Sequence, residues 1–259
     1  MVLVASPLVA KTIVSGGAWS GSPPLLVPEW HSEAVPSQAS PSEAVPSEAS
    51  PATQTPGLWA VATDPIPAYR EAGAAAGAFV AALAREGGSP SCGLLFSASP
   101  IRPRAALDAF AAGYSAASEG ASLQVRELAA AAEDKVAETA VEELLGSDLR
   151  ILFVALGSTS GAAIRKAARP GLAIGLDSSA PEVLPALAFR VRPDDEALAK
   201  AVAQRRLQLG KSDNGDRICL VPAKLIAEAQ ATQVRAGKVP FSRFLAKATL
   251  GAKAPEVRP

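Results

Sequence analysis

Short apolar runs alternate with alanine-rich stretches between residues 64 and 177. Cys92–Ser97 is apolar almost throughout, and Arg104–Ala117 then repeats apolar residues at helical spacing. The alternation continues with strand Leu123–Leu128, helix Asp134–Leu145, strand Arg150–Leu156, helix Ser160–Ala168 and strand Leu172–Leu176. This order predicts a parallel sheet covered by helices, with strands buried on both faces.

Ligands of open parallel sheets bind beyond the carboxyl ends of the strands. Asp177 ends a strand of small and aliphatic residues, so its carboxylate is expected at that edge, where it can accept hydrogen bonds from hydroxyl groups. The alternative is a turn aspartate bonded to its own loop. Asp64 precedes Pro65 and is either a hinge cap or a ligand group.

Other polar and aromatic residues fall at the same predicted edge. Ser158 and Ser160 lie in a glycine-flanked turn before a helix, which either cradles an anion on its backbone N–H groups or is a tight turn only. Ser97 and Arg102 share a loop in which they can meet polar ligand groups, although Arg102 can equally face solvent. Trp30 follows a short apolar run and is a stacking candidate, whereas Trp59 is expected in the core.

The composition argues against several classes of function. His31 is the only histidine and lies beside a repeat, so no base is placed to activate a nucleophile, and His31, Cys92 and Cys219 lack the spacing of metal ligands. The 25 basic and 25 acidic residues cancel, without the basic run expected of a nucleic-acid partner. We therefore expect a protein that is not an enzyme, with no metal, no cofactor and two unpaired thiols.

The first part of the chain is unusual. Five-residue units ending in proline repeat from Ser32 to Pro56, which predicts a solvated surface loop because proline at that period forbids both helix and sheet ladder. Met1–Ala10 is apolar but has no basic region before it, so it is interpreted as a strand and not as a signal peptide. No segment has the run of about 20 apolar residues that crosses a bilayer.

The last part of the chain is predicted to leave the second lobe. Ala186–Arg192 is interpreted as that lobe's last strand, followed by helix Glu196–Leu207, strand Ile218–Val221 and helix Ala223–Ala236. The predicted domains are therefore residues 1–64, a partial first lobe; 65–186, a second lobe; and 187–259, a return to the first lobe with C-terminal helices. Hinge segments are expected near Asp64 and Pro185–Arg192.

The order of these elements resembles type I periplasmic solute-binding proteins. Asp64, the helix Tyr69–Leu83 and the strand Cys92–Ser97 match the second lobe of that class. The turn Gly157–Gly161, its helix and the strand end Ala173–Ser178 look like the basic membrane protein or PnrA-like branch. The departures are Ser179-Ala180 after Asp177-Ser178, where the family has an acid and a glutamine, and a turn with only two glycines.

The resemblance implies an α/β, two-lobed periplasmic-binding-protein-like (type I) fold whose first lobe is incomplete, because the family places more strands before Asp64. It implies an ABC-importer receptor that binds a nucleoside, flavin or pentose in an interlobe cleft and works with a permease, as a periplasmic protein or membrane-anchored lipoprotein. Asp177 would bind ribose-like hydroxyls, and Arg190 lies where the family often has a ligand-facing base, although Arg190 and Arg192 can equally form a solvated edge. The alternatives are the effector-sensing core of a LacI-type regulator and a truncated remnant that binds nothing.

Overall fold

The structure is a computed structural model. It describes residues 3–4, 25–28, 58–98, 104–129, 132–146, 148–177, 185–197, 199, 209–211 and 217–251. The chain divides into two compact units, the first formed by Met1–Asp64 and Asp194–Pro222 and the second by Pro65–Pro193 and Ala223–Pro259. It therefore passes from one unit to the other three times, each time at a proline.

Apart from residues 194–197 and 199, which begin a helix, the described part of the first unit is a set of short strands. β1 (Leu3–Val4), β2 (Leu25–Pro28) and β3 (Leu58–Asp64) pair in parallel in that order. The first half of β10 (Arg217–Ala227) continues the order, because Ile218–Pro222 pairs in parallel with β3, and β9 (Leu209–Lys211) pairs antiparallel with β10. The other parts of this unit, including the repeat between Ser32 and Pro56, His31 and most of Met1–Ala10, lie outside the described residues.

The second unit is a doubly wound sheet. Its parallel strands are β4 (Ser91–Phe96), β5 (Leu123–Glu127), β6 (Leu149–Ala155), β7 (Ala173–Asp177) and β8 (Leu187–Pro193). The order is β8-β7-β6-β4-β5, and residues Ala223–Ala227 of β10 pair antiparallel with β8. Because β6 lies in the middle of this order, every one of its residues except Arg150 is buried.

Helices cover both faces of this sheet. One face carries α1 (Ile66–Ala84), α2 (Arg104–Ala117) and α5 (Phe241–Gly251), and the other carries α3 (Asp134–Leu145) and α4 (Ser160–Ala167). A small hairpin of β11 (Arg235–Ala236) and β12 (Val239–Pro240) precedes α5. Two apolar cores therefore lie on opposite faces of one sheet, as the alternation of strands and helices predicts.

Helices α1 and α2 approach each other through glycines. A Cβ built on Gly113 would lie 2.1 Å from the carbonyl oxygen of Arg70, and one built on Gly73 would lie 2.1 Å from the carbonyl oxygen of Phe110. These neighbours are backbone atoms, which cannot rotate away as a side chain can. The glycines are thus required by the distance between the two helices and not by an unusual backbone conformation.

Local periodicity predicted most elements of the second unit to within a few residues, and α2 and α3 without any error. The helix predicted over Ala223–Ala236 is wrong: these residues form the second half of β10, a 3₁₀ turn (Ala229–Thr232) and β11. Residues Ala223–Ala227 form a strand and not a helix because they pair with β8. This pairing hydrogen-bonds their backbone and packs Ala223 and Leu225 against the core. The alanine-rich composition is a weaker preference than these tertiary contacts.

The assignment of residues 187–259 to the first lobe is also corrected. Leu187–Pro193 and Ala223–Pro259 belong to the second unit, and only Asp194–Pro222 returns to the first. The physical reason is that β8 is hydrogen-bonded to β7 on one side and to β10 on the other. Pro185–Arg192 is therefore inside the second unit, and the boundary expected near it falls directly after it, between Pro193 and Asp194. Most of the predicted helix Glu196–Leu207 lies outside the described residues.

We expect Gly113→Ala to lower the free energy of unfolding by about 1–3 kcal/mol, because the new methyl group overpacks the contact between α1 and α2. The matched control is Gly161→Ala in α4, whose Cβ would meet only the tip of the Arg165 side chain at 3.4 Å. That variant should be neutral or more stable by up to about 1 kcal/mol, since alanine favours helix over glycine. Urea unfolding measures both, and equal effects of the two variants would contradict the close approach.

Candidate functional site

The polar residues of the second unit meet at the carboxyl edge of its sheet. β7, β6 and β4 are neighbours, and their registers place Phe96 beside Ala155 and Leu176 beside Val154. Ser97, the turn that begins at Gly157, and Asp177 therefore follow three adjacent strands at one edge. The structure brings together the residues that the sequence analysis placed at strand ends in this unit.

Asp177 is the half-buried last residue of β7. The hydroxyl group of Tyr69 in the first turn of α1 donates a hydrogen bond of 2.8 Å to its Oδ2 atom. Tyr69 is fully buried, so its hydroxyl group needs a partner within the protein. The carboxylate is thus held by an element 108 residues away in the sequence.

The turn after β6 leads directly into α4. Gly157 has a φ of 72°, a left-handed conformation that glycine adopts without strain, and it opens a 3₁₀ turn (Gly157–Thr159). The backbone N–H of Leu156 donates a hydrogen bond of 3.3 Å to Oγ of Ser160, which is buried. Ser160 therefore stabilises the turn, while its own hydroxyl proton is left to donate. The side chain of Ser158 lies outside what the structure describes.

Ser97 follows β4 and is 3% exposed. Its backbone N–H donates a hydrogen bond of 2.9 Å to the carbonyl oxygen of Ala155, which extends the pairing of β4 with β6 by one residue. Ser97 thus lies beneath the rim of the edge and not on its surface. Arg102, which shares its loop, is outside the described residues.

Arg190 lies on the opposite face of the sheet from Asp177. Phe189 and Val191 belong to the core that contains Tyr69, so the side chain of Arg190, between them along β8, points to the other face. It is 3% exposed, and its Nε atom lies 3.0 Å from Oε1 of Glu228 as an ion pair, outside the angular range of a good hydrogen bond. The alternative of a solvated edge is therefore wrong for Arg190.

The remaining predicted residues are not brought to this edge by the described structure. Asp64 is the half-buried last residue of β3, in register with Pro222, and belongs to the first unit. Trp30 lies outside the described residues, as does the side chain of Trp59. Tyr69 is the residue that sequence reasoning missed: it was assigned only as the start of a helix, and its single signal is an aromatic residue in an otherwise alanine-rich stretch directly after Asp64-Pro65.

Buried titratable groups elsewhere in the second unit have raised pKa values. Burial raises the pKa of the Cys92 thiol well above its usual range, so Cys92 is an unreactive core residue. Burial also raises the pKa of Tyr114, with a smaller contribution from Cys92, and the Tyr114 hydroxyl donates to the carbonyl oxygen of Ser122 at 2.9 Å. Burial raises the pKa of Glu71 in α1. None of these groups belongs to the carboxyl edge as defined above.

Two cavities open at the amino edge of the sheet. One of about 430 Å³ lies between the loops that precede β4 and β5, and one of about 380 Å³ lies between the loop that precedes β7 and residues 230–234. Within the described ranges, no group of three or more histidine, cysteine, aspartate or glutamate residues could hold a metal ion. The helices in that part of the chain are all too short or too polar to span a membrane.

Comparisons with known proteins complete this picture. No protein-family model and no curated protein sequence matches the chain. A solved transcriptional activator of the comK gene from Bacillus halodurans is similar at 11% identity and a TM-score of 0.55, over 98% of this chain and 79% of that one. An ABC transporter solute-binding protein from Aeropyrum pernix K1 has 12% identity, a TM-score of 0.47 and coverages of 95% and 73%. A LacI family regulator from Enterococcus faecalis V583, solved with bound ribose, has 14% identity, a TM-score of 0.41 and coverages of 87% and 74%.

The first of these likenesses covers nearly the whole chain, and at its low identity it concerns the fold alone. Together with the order of strands, it confirms the predicted class: a type I periplasmic-binding-protein-like α/β fold, with a mostly parallel sheet flanked by helices. The basic membrane protein or PnrA-like branch stays a prediction.

The Arg190–Glu228 ion pair provides a test of the buried position assigned to Arg190. We expect Glu228→Gln to lower the free energy of unfolding by about 1–3 kcal/mol, because it removes the countercharge of an almost fully buried guanidinium. The matched control is Glu142→Gln, which breaks the exposed pair with Lys166 and should change stability by less than about 0.5 kcal/mol. Thermal and urea unfolding measure both, and equal effects would show that Arg190 is solvated.

Proposed function

We propose that this chain is a receptor that binds a small ligand rich in hydroxyl groups at the carboxyl edge of the second unit and performs no chemistry on it. The observation that carries the proposal is Asp177. It is a half-buried carboxylate at the end of a buried strand, on an edge where open α/β sheets bind ligands. A carboxylate accepts hydrogen bonds from neighbouring hydroxyl groups, as a pentose or the ribose of a nucleoside presents them.

The surroundings of Asp177 support binding over catalysis. Ser160 bonds the turn after β6, Ser97 is buried beneath the edge, and Asp177 is held by Tyr69. The serines thus stabilise the edge from within, and the half-buried carboxylate is the group that can recognise a polar ligand by hydrogen bonding. Nucleoside, flavin and pentose are the ligand classes proposed from the resemblance to PnrA-like proteins.

The biological setting proposed with this function is ABC import. The receptor would deliver its ligand to a permease, as a periplasmic protein or a membrane-anchored lipoprotein. The second candidate is the effector-sensing part of a LacI-type regulator, and it is favoured by the names of two similar structures, a transcriptional activator and a LacI family regulator with bound ribose. Both roles use the same ligand edge, so the ligand experiment comes first.

We expect a selective ligand in a panel of D-ribose, D-xylose, purine and pyrimidine nucleosides and riboflavin to raise the unfolding temperature. At 100 times its dissociation constant, a ligand adds about 2.7 kcal/mol of stability, which corresponds to a shift of a few degrees for a chain of this size. The shift should be lost in Asp177→Asn and retained in Asp108→Asn, which removes a similar charge from an exposed position of α2.

Two results would contradict the proposal. A shift that is equal in Asp177→Asn and the native chain would contradict the assigned edge, and a cooperative transition that no ligand moves would contradict the ligand class. Where a ligand is found, adding it to the full chain in the presence of random-sequence duplex DNA, and separately with reconstituted ABC permeases, distinguishes the regulator from the importer receptor.

A further inference from the structure

We infer that Tyr69 is a positioning residue for the ligand edge: its hydroxyl group holds the Asp177 carboxylate in the one rotamer that receives the ligand. The inference rests on the proposed function, which it deepens by naming a residue that sequence reasoning did not select. Its starting point is the 2.8 Å hydrogen bond from Tyr69 to Oδ2 of Asp177. Its length is that of a well-formed O–H···O hydrogen bond.

Tyr69 is itself held rigidly. Its ring meets the ring of Phe153 edge to face, with centroids 5.1 Å apart and an interplanar angle of 71°. Phe153 stacks on Phe110 of α2, with centroids 5.2 Å apart and an angle of 12°. All three rings are fully buried, so Tyr69 has one position from which its hydroxyl group reaches β7.

The aromatic cluster also contacts β7, the strand that carries Asp177. Phe153 also stacks on Phe189 of β8, at 5.4 Å and 24°. The Phe189 ring lies over Gly175, where a Cβ would come within 2.0 Å of its Cζ atom. Gly175 and Asp177 are two residues apart and therefore share a face of β7. Strand β7 therefore contributes two things to the aromatic cluster. Gly175 leaves room for the Phe189 ring, and Asp177 accepts the hydrogen bond from Tyr69.

A purely structural role would require only that the buried hydroxyl group find some acceptor. Tyr114 of α2 shows how this unit meets that need elsewhere, because its hydroxyl group donates to the backbone carbonyl of Ser122 at 2.9 Å. Tyr69 instead donates to the carboxylate of a half-buried residue at the ligand edge. The backbone carbonyl that Tyr114 binds has no rotamers to restrict. The Asp177 side chain, in contrast, loses rotamer freedom when it accepts the bond from Tyr69. A ligand then does not have to restrict that side chain when it binds.

The first measurement uses the ligand-free chain. Three-bond couplings from the Asp177 Cγ atom to its backbone nitrogen and carbonyl carbon report the χ1 rotamer by NMR. We expect a single rotamer in the native chain and averaged couplings in Tyr69→Phe, which keeps the ring and removes the bond. Tyr114→Phe is the matched control, since it also removes a buried hydroxyl group from this unit, and it should leave the Asp177 couplings unchanged.

The second measurement is binding, with D-ribose and adenosine as the probes. Tyr69→Phe should weaken the affinity of the probe that binds by roughly tenfold, the size expected for a lost bond to a charged group, and Tyr114→Phe should not. Asp177→Asn sets the scale of the effect, because it should weaken the same probe at least as much as Tyr69→Phe does.

The outcomes separate this inference from the proposed function. Unchanged Asp177 couplings in Tyr69→Phe would overturn the positioning role, whatever the probes do, as would an unchanged affinity of Tyr69→Phe for a probe that the native chain binds. Averaged couplings without binding of either probe to the native chain would support the positioning of Asp177 and count against the proposed pentose or nucleoside ligand.

Discussion

The packing around Phe153 is the contact on which the second unit depends. This ring lies on the central strand β6 and touches Tyr69 of α1, Phe110 of α2 and Phe189 of β8. Three elements are therefore placed on the sheet by one buried side chain, which by its own burial contributes about 1.5–3 kcal/mol. The glycine contacts between α1 and α2 belong to the same arrangement, because only helices this close can bring Tyr69 and Phe110 to one ring.

The sheet separates two kinds of charge. On the face with the aromatic cluster, the carboxylate of Asp177 accepts a hydrogen bond from Tyr69 at the half-buried edge. On the other face, Arg190 is almost fully buried and paired with Glu228. A buried guanidinium is tolerated only with such a countercharge. Arg190 lies inside β8 beside Leu176, and Asp177 lies beside Val191, so the alternation of side chains along β7 and β8 gives the two charged residues different surroundings.

Local patterns predicted much of the fold because strands and helices alternate densely in residues 64–177. The α3 helix was predicted to the residue, since its apolar positions recur at helical spacing between Glu133 and Gly146. The β10 strand was missed beyond Val221, because Pro222 and the following alanines look unlike a strand and only pairing with β8 makes them one. The sequence analysis placed the candidate site at the carboxyl edge of the sheet, because Asp177, Ser97 and Ser160 follow predicted strands. The bond between Tyr69 and Asp177 spans 108 residues, and no local pattern contains it.

Tyr69 lies close in sequence to a boundary between the two units. The first segment of the first unit ends at Asp64, and α1 begins at Ile66. The backbone N–H of Tyr69 donates a hydrogen bond of 2.9 Å to the carbonyl oxygen of Pro65, so Tyr69 lies in the turn that follows the boundary directly. Its ring packs on Phe153, so the same residue belongs both to this first turn and to the buried aromatic cluster of the second unit. The hydroxyl group that bonds Asp177 is thus fixed by the core of the second unit at the first helical turn after the boundary.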